Sequence, residues 1–533
     1  MFKKIIALFC AFTVAFSFLY TRIYSIIREE NIISAANTQN SFSLNISTTR
    51  AAIYDCNMNK LVNNNVVYKY AIVPSLLSKE STAVLLEKFG EEFYNKIKEN
   101  KPFILTSDEK IHVSEDVNVF EEYNRYNDDD VATHIIGYLD YNGNGVSGIE
   151  CAFNDYLRLN SKSRNITYEI NAKKEVLAGS SAQISDDGND KKGIVLTIDG
   201  EIQKIIEEAG EETIKKGAIV VMDPYSGEIK GSASFPKINR NDIESNVQNT
   251  DSPFLNRALC AYSIGSVFKI VLSAVALEQD ESKSFSNYCS GKVEMSDSVF
   301  LCHKKSGHGL LNIREALMQS CNPFFIALGQ RLGFAPIKAM AQKLGFSKEV
   351  SLANGITVSA GTLPLSFDVK TDGDLANFSF GQGKTTVSPI SVACMLSAVV
   401  NCGKCPEPIL VKGISDEEGN RIEDAMSAVK YTQAMTADTA GKLKDYMVDV
   451  VTKGTGSPAR PTYKDAGGKT GSAQTGQYDE NGEEMINAWF AGFYPSDIPK
   501  YVIVVLCENG MSGSLKSGPI FKKICDEIET RKL

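Results

Sequence analysis

Ala261-Tyr-Ser-Ile-Gly-Ser-Val-Phe-Lys-Ile270 holds a serine and a lysine three residues apart, Ser266 and Lys269. If a helix opens here, both side chains lie on one face and the amine reaches the hydroxyl. Gly265 lets the backbone approach closely, and unpaired N–H groups of a first helical turn favour a developing oxyanion. A serine is a poor nucleophile until a base takes its proton, and a desolvated lysine can be that base. Alone, Ser-x-x-Lys fits an ordinary helix start with an exposed lysine better than a catalytic pair, so the context decides.

Two further stretches supply that context. Ser320-Cys-Asn322 follows Leu311 to Gln319, which reads as a helix with Leu311, Ala316 and Leu317 apolar and Arg314 and Glu315 polar. Lys469-Thr-Gly-Ser-Ala-Gln474 comes much later, after Gly467 and Gly468. The three elements, in this order, match the signature of serine penicillin-recognising enzymes, with Ser-x-Asn in place of Ser-Asp-Asn. The chain resembles class B penicillin-binding proteins, the membrane-anchored D,D-transpeptidases that cross-link peptidoglycan. Gly217-Ala-Ile-Val-Val-Met-Asp-Pro-Tyr-Ser-Gly-Glu228, Ser379-Phe-Gly-Gln-Gly383 with Val387-Ser-Pro389, and Ala488-Trp-Phe-Ala-Gly-Phe-Tyr-Pro495 are similar to the family's flanking landmarks.

The resemblance implies an α/β fold of the α+β type. An antiparallel sheet with helices on both faces would follow an extended pedestal and one transmembrane helix. The domains expected are a signal-anchor over 1–22, a pedestal over 23–190 and a transpeptidase domain over 191–533. At 533 residues the chain is long enough for several cores. A net charge of −9 argues against nucleic acid as a partner, since phosphate binding needs a basic surface.

Along the chain, Lys3 and Lys4 precede an uncharged run, Ile5 to Tyr20, a little short for a spanning helix but extendable by Thr21 and the long arm of Arg22. The lysines favour an inside N-terminus, which places the rest outside the cytoplasmic membrane. The bulky Phe18-Leu-Tyr20 offers no small-x-small cleavage site, and a cleaved signal peptide is the alternative. Residues 21 to about 45 read as a polar stalk. Arg50 to Asn57 resembles the family's first pedestal motif, with Ala51 and Cys56 where glycine and arginine are usual. Residues 76–99 show helical periodicity. His134-Ile-Ile-Gly-Tyr-Leu139 resembles the linker region, and His134, a single histidine, is assigned a structural hydrogen bond. Asp186 to Asp190 reads as a hydrophilic turn. Beyond it, strands are expected at 194–198, 218–222, 488–493 and 501–506, and helices at 201–213, 267–277 and 516–529.

By analogy with the family, Ser266 attacks the carbonyl between the terminal D-alanines of a stem peptide and Lys269 accepts its proton. Ser320 relays a proton towards the departing D-alanine, while Asn322 orients Lys269 and holds the substrate amide. Lys469 supplies positive potential that helps keep Lys269 neutral, and Thr470 binds the terminal carboxylate. Gly471 keeps the strand free of bulk facing the substrate. The backbone N–H groups of Ser266 and Ser472 form the oxyanion hole, and Gly381-Gln-Gly383 shapes the cleft wall. β-Lactams are expected to acylate Ser266, and the partner implied is a membrane glycosyltransferase that polymerises the glycan. No cofactor is expected.

Rival readings are a D,D-carboxypeptidase, which uses water as acceptor, a β-lactamase, and a non-enzymatic scaffold. The last is disfavoured because every expected side chain is present. Metal-dependent hydrolysis has no His-Glu-x-x-His, and only four histidines occur. The twelve cysteines are scattered, with Cys10, Cys260, Cys394 and Cys507 in apolar runs that read as core. Cys402 and Cys405 could be a disulfide, a redox pair or two unpaired thiols. Cys289, Cys302, His303 and His308 could be drawn as a metal cluster, but their spacing fits no zinc pattern well. Because Cys289-Ser-Gly and His308-Gly resemble landmarks of the family's loop before Ser-x-Asn, a disulfide between Cys289 and Cys302 is favoured instead.

Overall fold

The computed structural model describes residues 1–28, 40–127, 129–177, 179, 181–189, 191–281, 284–295, 298–422, 429–478 and 481–533. The chain forms two compact units. One comprises Met1–Arg50, Asn63–Arg125 and Asn160–Asp190, the other Ala51–Val62, Tyr126–Leu159 and Lys191–Leu533. Two segments of the 23–190 region, Ala51–Val62 and Tyr126–Leu159, gather with the C-terminal unit. The reason is strand pairing: Ala52–Tyr54 lies parallel to Gly193–Leu196, so the Arg50 motif feeds the larger unit's sheet system.

In the first unit, a helix runs from Phe2 to Arg28. Its segment Phe2–Ile26 is long and apolar enough to cross a membrane. The expected polar stalk is partly replaced by structure, since this helix continues past residue 22 and a strand begins at Ser41; residues 29–39 lie outside the described residues. That strand, Ser41–Thr49, pairs with Lys162–Glu169, which pairs with Gln183–Asp187. Asp186 therefore belongs to a strand, where Arg164 Nε donates to it at 2.6 Å, and the expected turn begins only after it. The predicted helix over 76–99 is Lys79–Ile97. The Ser78 hydroxyl caps it by accepting from Ser81 N, and Gly90 at φ +52° interrupts it. Its Leu85 and Phe93 pack with Tyr70 and Ile72 of a second three-stranded sheet.

The second unit is built on one antiparallel sheet. Its elements are α1 (Gly200–Glu211), β1 (Gly217–Met222), β2 (Ile229–Phe235), α2 (Lys269–Glu278), α3 (Asn322–Leu332), α4 (Pro389–Val400), α5 (Ala437–Lys453), β3 (Gly467–Tyr478), β4 (Glu484–Tyr494), β5 (Tyr501–Cys507) and α6 (Gly518–Thr530). The strand order is β2-β1-β5-β4-β3, so the lysine-bearing β3 is an edge. Asp199 starts α1 by accepting from the N–H groups of Glu201 and Ile202. Asp223 closes the β1–β2 turn by accepting from Tyr225 N at 2.8 Å, with Gly227 at φ +78°.

Alternation along the strands feeds two cores. Ile219, Val221, Phe490, Ile503 and Val505 face α1 and α6, while Val220, Ala491, Val502 and Val504 face the larger cluster around α2 and α4. Helices on both faces of an antiparallel sheet are thus observed, as expected. Every residue of α2 from Lys269 to Leu277 is buried, the pattern of a helix enclosed on all sides. His134 is buried too, and its Nε2 lies 2.6 Å from Pro253 O, which bears out its structural assignment. Burial lowers its pKa to about 4.

Candidate active site

Ser266 lies on a single 3-10 turn, Gly265–Phe268, that runs directly into α2. Gly265 takes φ +57°, and a Cβ there would stand 2.8 Å from Ser472 O, so glycine is required twice over. Three contacts fix this turn. Gly265 N donates to Gly381 O at 3.0 Å, Trp489 Nε1 donates to Ser263 O at 2.9 Å, and Tyr262 OH donates to Glu508 Oε1 at 2.9 Å. Arg257 Nε donates to the same carboxylate oxygen at 2.7 Å. Gly381-Gln-Gly383 therefore packs against the nucleophile turn itself, since a Cβ on Gly381 would meet Gly265 O at 2.2 Å.

Two segments distant in sequence converge on Lys269, the residue that follows the turn. Lys269 Nζ donates to Asn322 Oδ1 at 2.6 Å, to Ser320 O at 2.8 Å and to Ser320 Oγ at 3.3 Å. Lys469 Nζ donates to Ser320 Oγ at 2.9 Å and to Thr470 O at 3.0 Å. Ser320 thus stands between two amines. Its φ of +51° is uncommon for a side-chain-bearing residue and costs about 1–2 kcal/mol. The neighbouring Asn322 opens α3, so helix geometry sets its direction.

Lys269 and Lys469 are both fully buried. An ammonium loses hydration in such a pocket, and burial moves Lys269 down to about 7. Burial also pushes Lys469 well below the ordinary lysine range, and repulsion from Lys269 adds to this. Two ammonium groups around one hydroxyl repel each other, which disfavours charging both at once. Burial and the nearness of the two amines disfavour the charged form of both lysines in the free pocket.

Thr470 is buried beside Lys469, its hydroxyl 3.1 Å from that of Thr455. Ser472 is exposed, and its Oγ accepts from Gly513 N at 3.3 Å. Gly471 needs its bareness on a different side from the one expected. A Cβ there would meet Val267 Cγ2 at 2.9 Å, Ile264 O at 3.1 Å and Trp489 Cβ at 3.1 Å. Its lack of a side chain lets β3 seat against the Ser266 turn rather than keeping the substrate face clear.

All twelve cysteines are free thiols, including Cys289, Cys302, Cys402 and Cys405, so neither disulfide considered from the sequence is formed. Cys10 is exposed and Cys260 half-buried, unlike the buried Cys394 and Cys507. Cys289, Cys302, His308 and Cys321 bring their ligating atoms within 4.8 Å of one another. Cys321, the middle residue of Ser-x-Asn, takes the place in this group that sequence spacing gave to His303. The Cys321 thiol donates to Cys302, which pulls the Cys302 pKa down.

Sequence reasoning missed Cys321 as a member of this group, and also Thr455, Arg257 and Glu508. Cys321 had a signal, a third cysteine next to a catalytic motif. The other three had none, because their partners lie far away in the chain.

The model of the penicillin binding protein transpeptidase domain matches residues 217–526. Stage V sporulation protein D of Bacillus subtilis is 29% identical over 521 residues, 90% of this chain and 77% of that protein. Peptidoglycan D,D-transpeptidase MrdA of Acinetobacter baumannii is 26% identical over 432 residues, 72% of this chain and 63% of that one. The crystal structure of the D,D-transpeptidase domain of a peptidoglycan glycosyltransferase from Eggerthella lenta superposes with a TM-score of 0.64 at 26% identity. It covers 91% of this chain and 99% of its own. A chain from a peptidoglycan synthase complex has a TM-score of 0.71 at 21% identity, with 98% of each chain covered, a likeness of fold. With its three motifs gathered at one serine, the chain belongs to the penicillin-binding-protein transpeptidase family, as an enzyme of the class B serine D,D-transpeptidase type.

Proposed function

We propose that this protein cross-links peptidoglycan stem peptides through an acyl-enzyme on Ser266, with release of D-alanine. The observation that carries the reading is the placement of Ser320 Oγ, 3.3 Å from Lys269 Nζ and 2.9 Å from Lys469 Nζ. This arrangement can take a proton at one end and return it at the other. Neutral Lys269 removes the Ser266 proton as the serine oxygen bonds to the penultimate D-alanine carbonyl carbon. The N–H groups of Ser266 and Ser472 stabilise the oxyanion. Ser320 then passes a proton to the leaving D-alanine nitrogen as the C–N bond breaks, and an acceptor amine reverses the sequence.

The substrate carboxylate brings a negative charge to the lysine pair. Beside Thr470 it favours the charged form of Lys469, and the proton shared by the pair settles there. Lys269 is left neutral when the substrate is in place. Substrate binding therefore arms the base.

The apolar helix Phe2–Ile26 serves as a membrane anchor, with the transpeptidase unit outside the cytoplasmic membrane. Support comes from its length and hydropathy and from Lys3 and Lys4 at its start. A polymerase partner in the membrane is suggested by the relative that comes from a synthase complex coordinating polymerisation and cross-linking. β-Lactams, which place a carboxylate and a strained amide in the same geometry, acylate Ser266. To test the reaction, the full-length protein is reconstituted with a glycan polymerase, pentapeptide-bearing lipid-linked precursor and acceptor strands. D-alanine release together with dimeric cross-linked muropeptides is expected. Release without cross-links would establish a carboxypeptidase, and rapid penicillin turnover a β-lactamase.

A further inference from the structure

The two N–H groups proposed to hold the oxyanion stand on separate elements. Ser266 N belongs to the turn Gly265–Phe268, and Ser472 N belongs to β3, an edge strand. An oxyanion donor is effective only within about 2.7–3.1 Å of the developing charge. The gap between turn and strand therefore has to be held constant.

Its inner limit is steric. A Cβ on Gly265 would lie 2.8 Å from Ser472 O and 3.1 Å from Ala473 Cα. A Cβ on Gly471 would lie 2.9 Å from Val267 Cγ2 and 3.1 Å from Ile264 O. Turn and strand thus meet at two glycines and cannot come closer. Contact of this kind sets no outer limit, which needs an attraction across the gap.

One side chain reaches both segments. Trp489 stands directly opposite Gly471 in the β3–β4 ladder. Cross-strand partners share one face of a sheet, so the indole lies on the face that meets the turn. Trp489 Cβ is 3.1 Å from the place a Gly471 Cβ would take. Its Nε1 donates to Ser263 O at 2.9 Å, three residues before Ser266. The base of the side chain is firmly held, because Trp489 pairs with Gly471 on one side and Leu506 on the other. The residue is fully buried. The turn's other hydrogen bonds, from Gly265 N to Gly381 O and from Tyr262 OH to Glu508, run to residues outside β3 and β4.

We propose that Trp489 is a positioning residue for the acyl transfer: its indole N–H holds the Ser266 turn against β3 and so sets the separation of the two oxyanion donors. This role rests on the proposed reading of Ser266 as nucleophile and of Ser266 and Ser472 as donors. Trp489 acts through Ser263 and Gly471, at one remove from the reacting atoms. Its contribution appears where negative charge has formed on the carbonyl oxygen, and not in the first encounter, when the carboxylate is held beside Thr470.

The chain contains a single tryptophan, so replacing tryptophan throughout by β-(3-benzothienyl)alanine changes this position alone. Sulfur then stands in for the N–H, and the bicyclic ring is kept. Trp489→Phe is the second variant. Saturation stopped-flow with a fluorescent penicillin, on full-length protein in detergent, separates initial binding from the limiting acylation rate. A boronic acid reports the oxyanion hole itself, because its boron bonds the serine oxygen and carries an anionic tetrahedral centre. Outright loss of one oxyanion donor costs about 10²–10³-fold, and a displaced donor is expected to cost about 10–100-fold. Both variants should lose that factor in the limiting acylation rate and a similar factor in boronic acid affinity. Initial penicillin binding should stay within about threefold of wild type. If Trp489→Phe does not fold, the benzothienyl protein decides. Wild-type acylation and boronic acid affinity in that protein would overturn the role of Trp489. Initial binding weakened as much as the acylation rate would also overturn it, since that marks a general loosening of the cleft. Peptide mapping keeps the two levels apart: a folded wild type without penicilloyl on Ser266 overturns the underlying reading and this role with it, whereas a labelled Ser266 with unchanged variant rates overturns the role alone.

Discussion

Raising the pH from 6 to 8 should accelerate acylation of the free enzyme by a β-lactam about tenfold. The base proposed for Ser266 is Lys269, whose amine titrates at about 7 because it is entirely buried. Only its neutral form can accept a proton, and for such a group the neutral fraction is roughly 0.1 at pH 6, 0.5 at pH 7 and 0.9 at pH 8. The sign follows directly: activity rises with pH through the lysine's pKa and levels off above it. The second-order acylation constant reports the free enzyme, so it is the quantity to follow, by stopped-flow fluorescence with a labelled penicillin at constant ionic strength. Lys269→Arg provides the matching control. A guanidinium stays protonated throughout this range, so the pH step should vanish and acylation should fall by about 10²–10⁴-fold. A wild-type profile that is flat or falls from pH 6 to 8 would refute the assignment of Lys269 as the base. Acylation of the Lys269→Arg protein at the wild-type rate would refute it equally.

Gly265→Ala should lower the melting temperature and cost about 1–3 kcal/mol, because the new Cβ meets Ser472 O at 2.8 Å on a backbone at φ +57°; thermal unfolding of the full-length protein checks this. Thr470→Val keeps the volume but removes the hydroxyl proposed for the carboxylate. It should weaken initial penicillin binding by about tenfold, the worth of one hydrogen bond to a charged group, and leave the maximal acylation rate within a fewfold of wild type. Saturation kinetics separate the two effects.

The parts of this site readable from sequence are those that chemistry confines to short spacings. Ser266 and Lys269 share one helical turn, Ser320 and Asn322 flank one residue, and Lys469 to Ser472 lie along one strand. Each could be placed on its element before any fold was known. The sheet strands and α2 were readable because their apolar runs are long and bounded by turn residues. What escaped depends on contacts between distant segments. Cys321 sits inside the Ser-x-Asn motif, yet its companions Cys289, Cys302 and His308 come from separate segments that only the fold brings beside it. The bareness of Gly471 was assigned to the substrate side, because sequence cannot say which face of β3 meets Val267. Ala52–Tyr54 reads as the opening of a pedestal, and only its pairing with Gly193–Leu196 places it in the larger unit. The electrostatic state of Lys469 likewise needed the fold, since its burial and the nearby Lys269 are both long-range facts.

The central claim is that Ser266 is the nucleophile. It is tested most directly by incubating the folded full-length protein with penicillin, digesting it, and mapping the added mass by tandem mass spectrometry. A single penicilloyl group on the Ser266 hydroxyl, absent from Ser266→Ala, is the predicted result. Label on Ser320 or any other residue, or no label on folded protein, would contradict it.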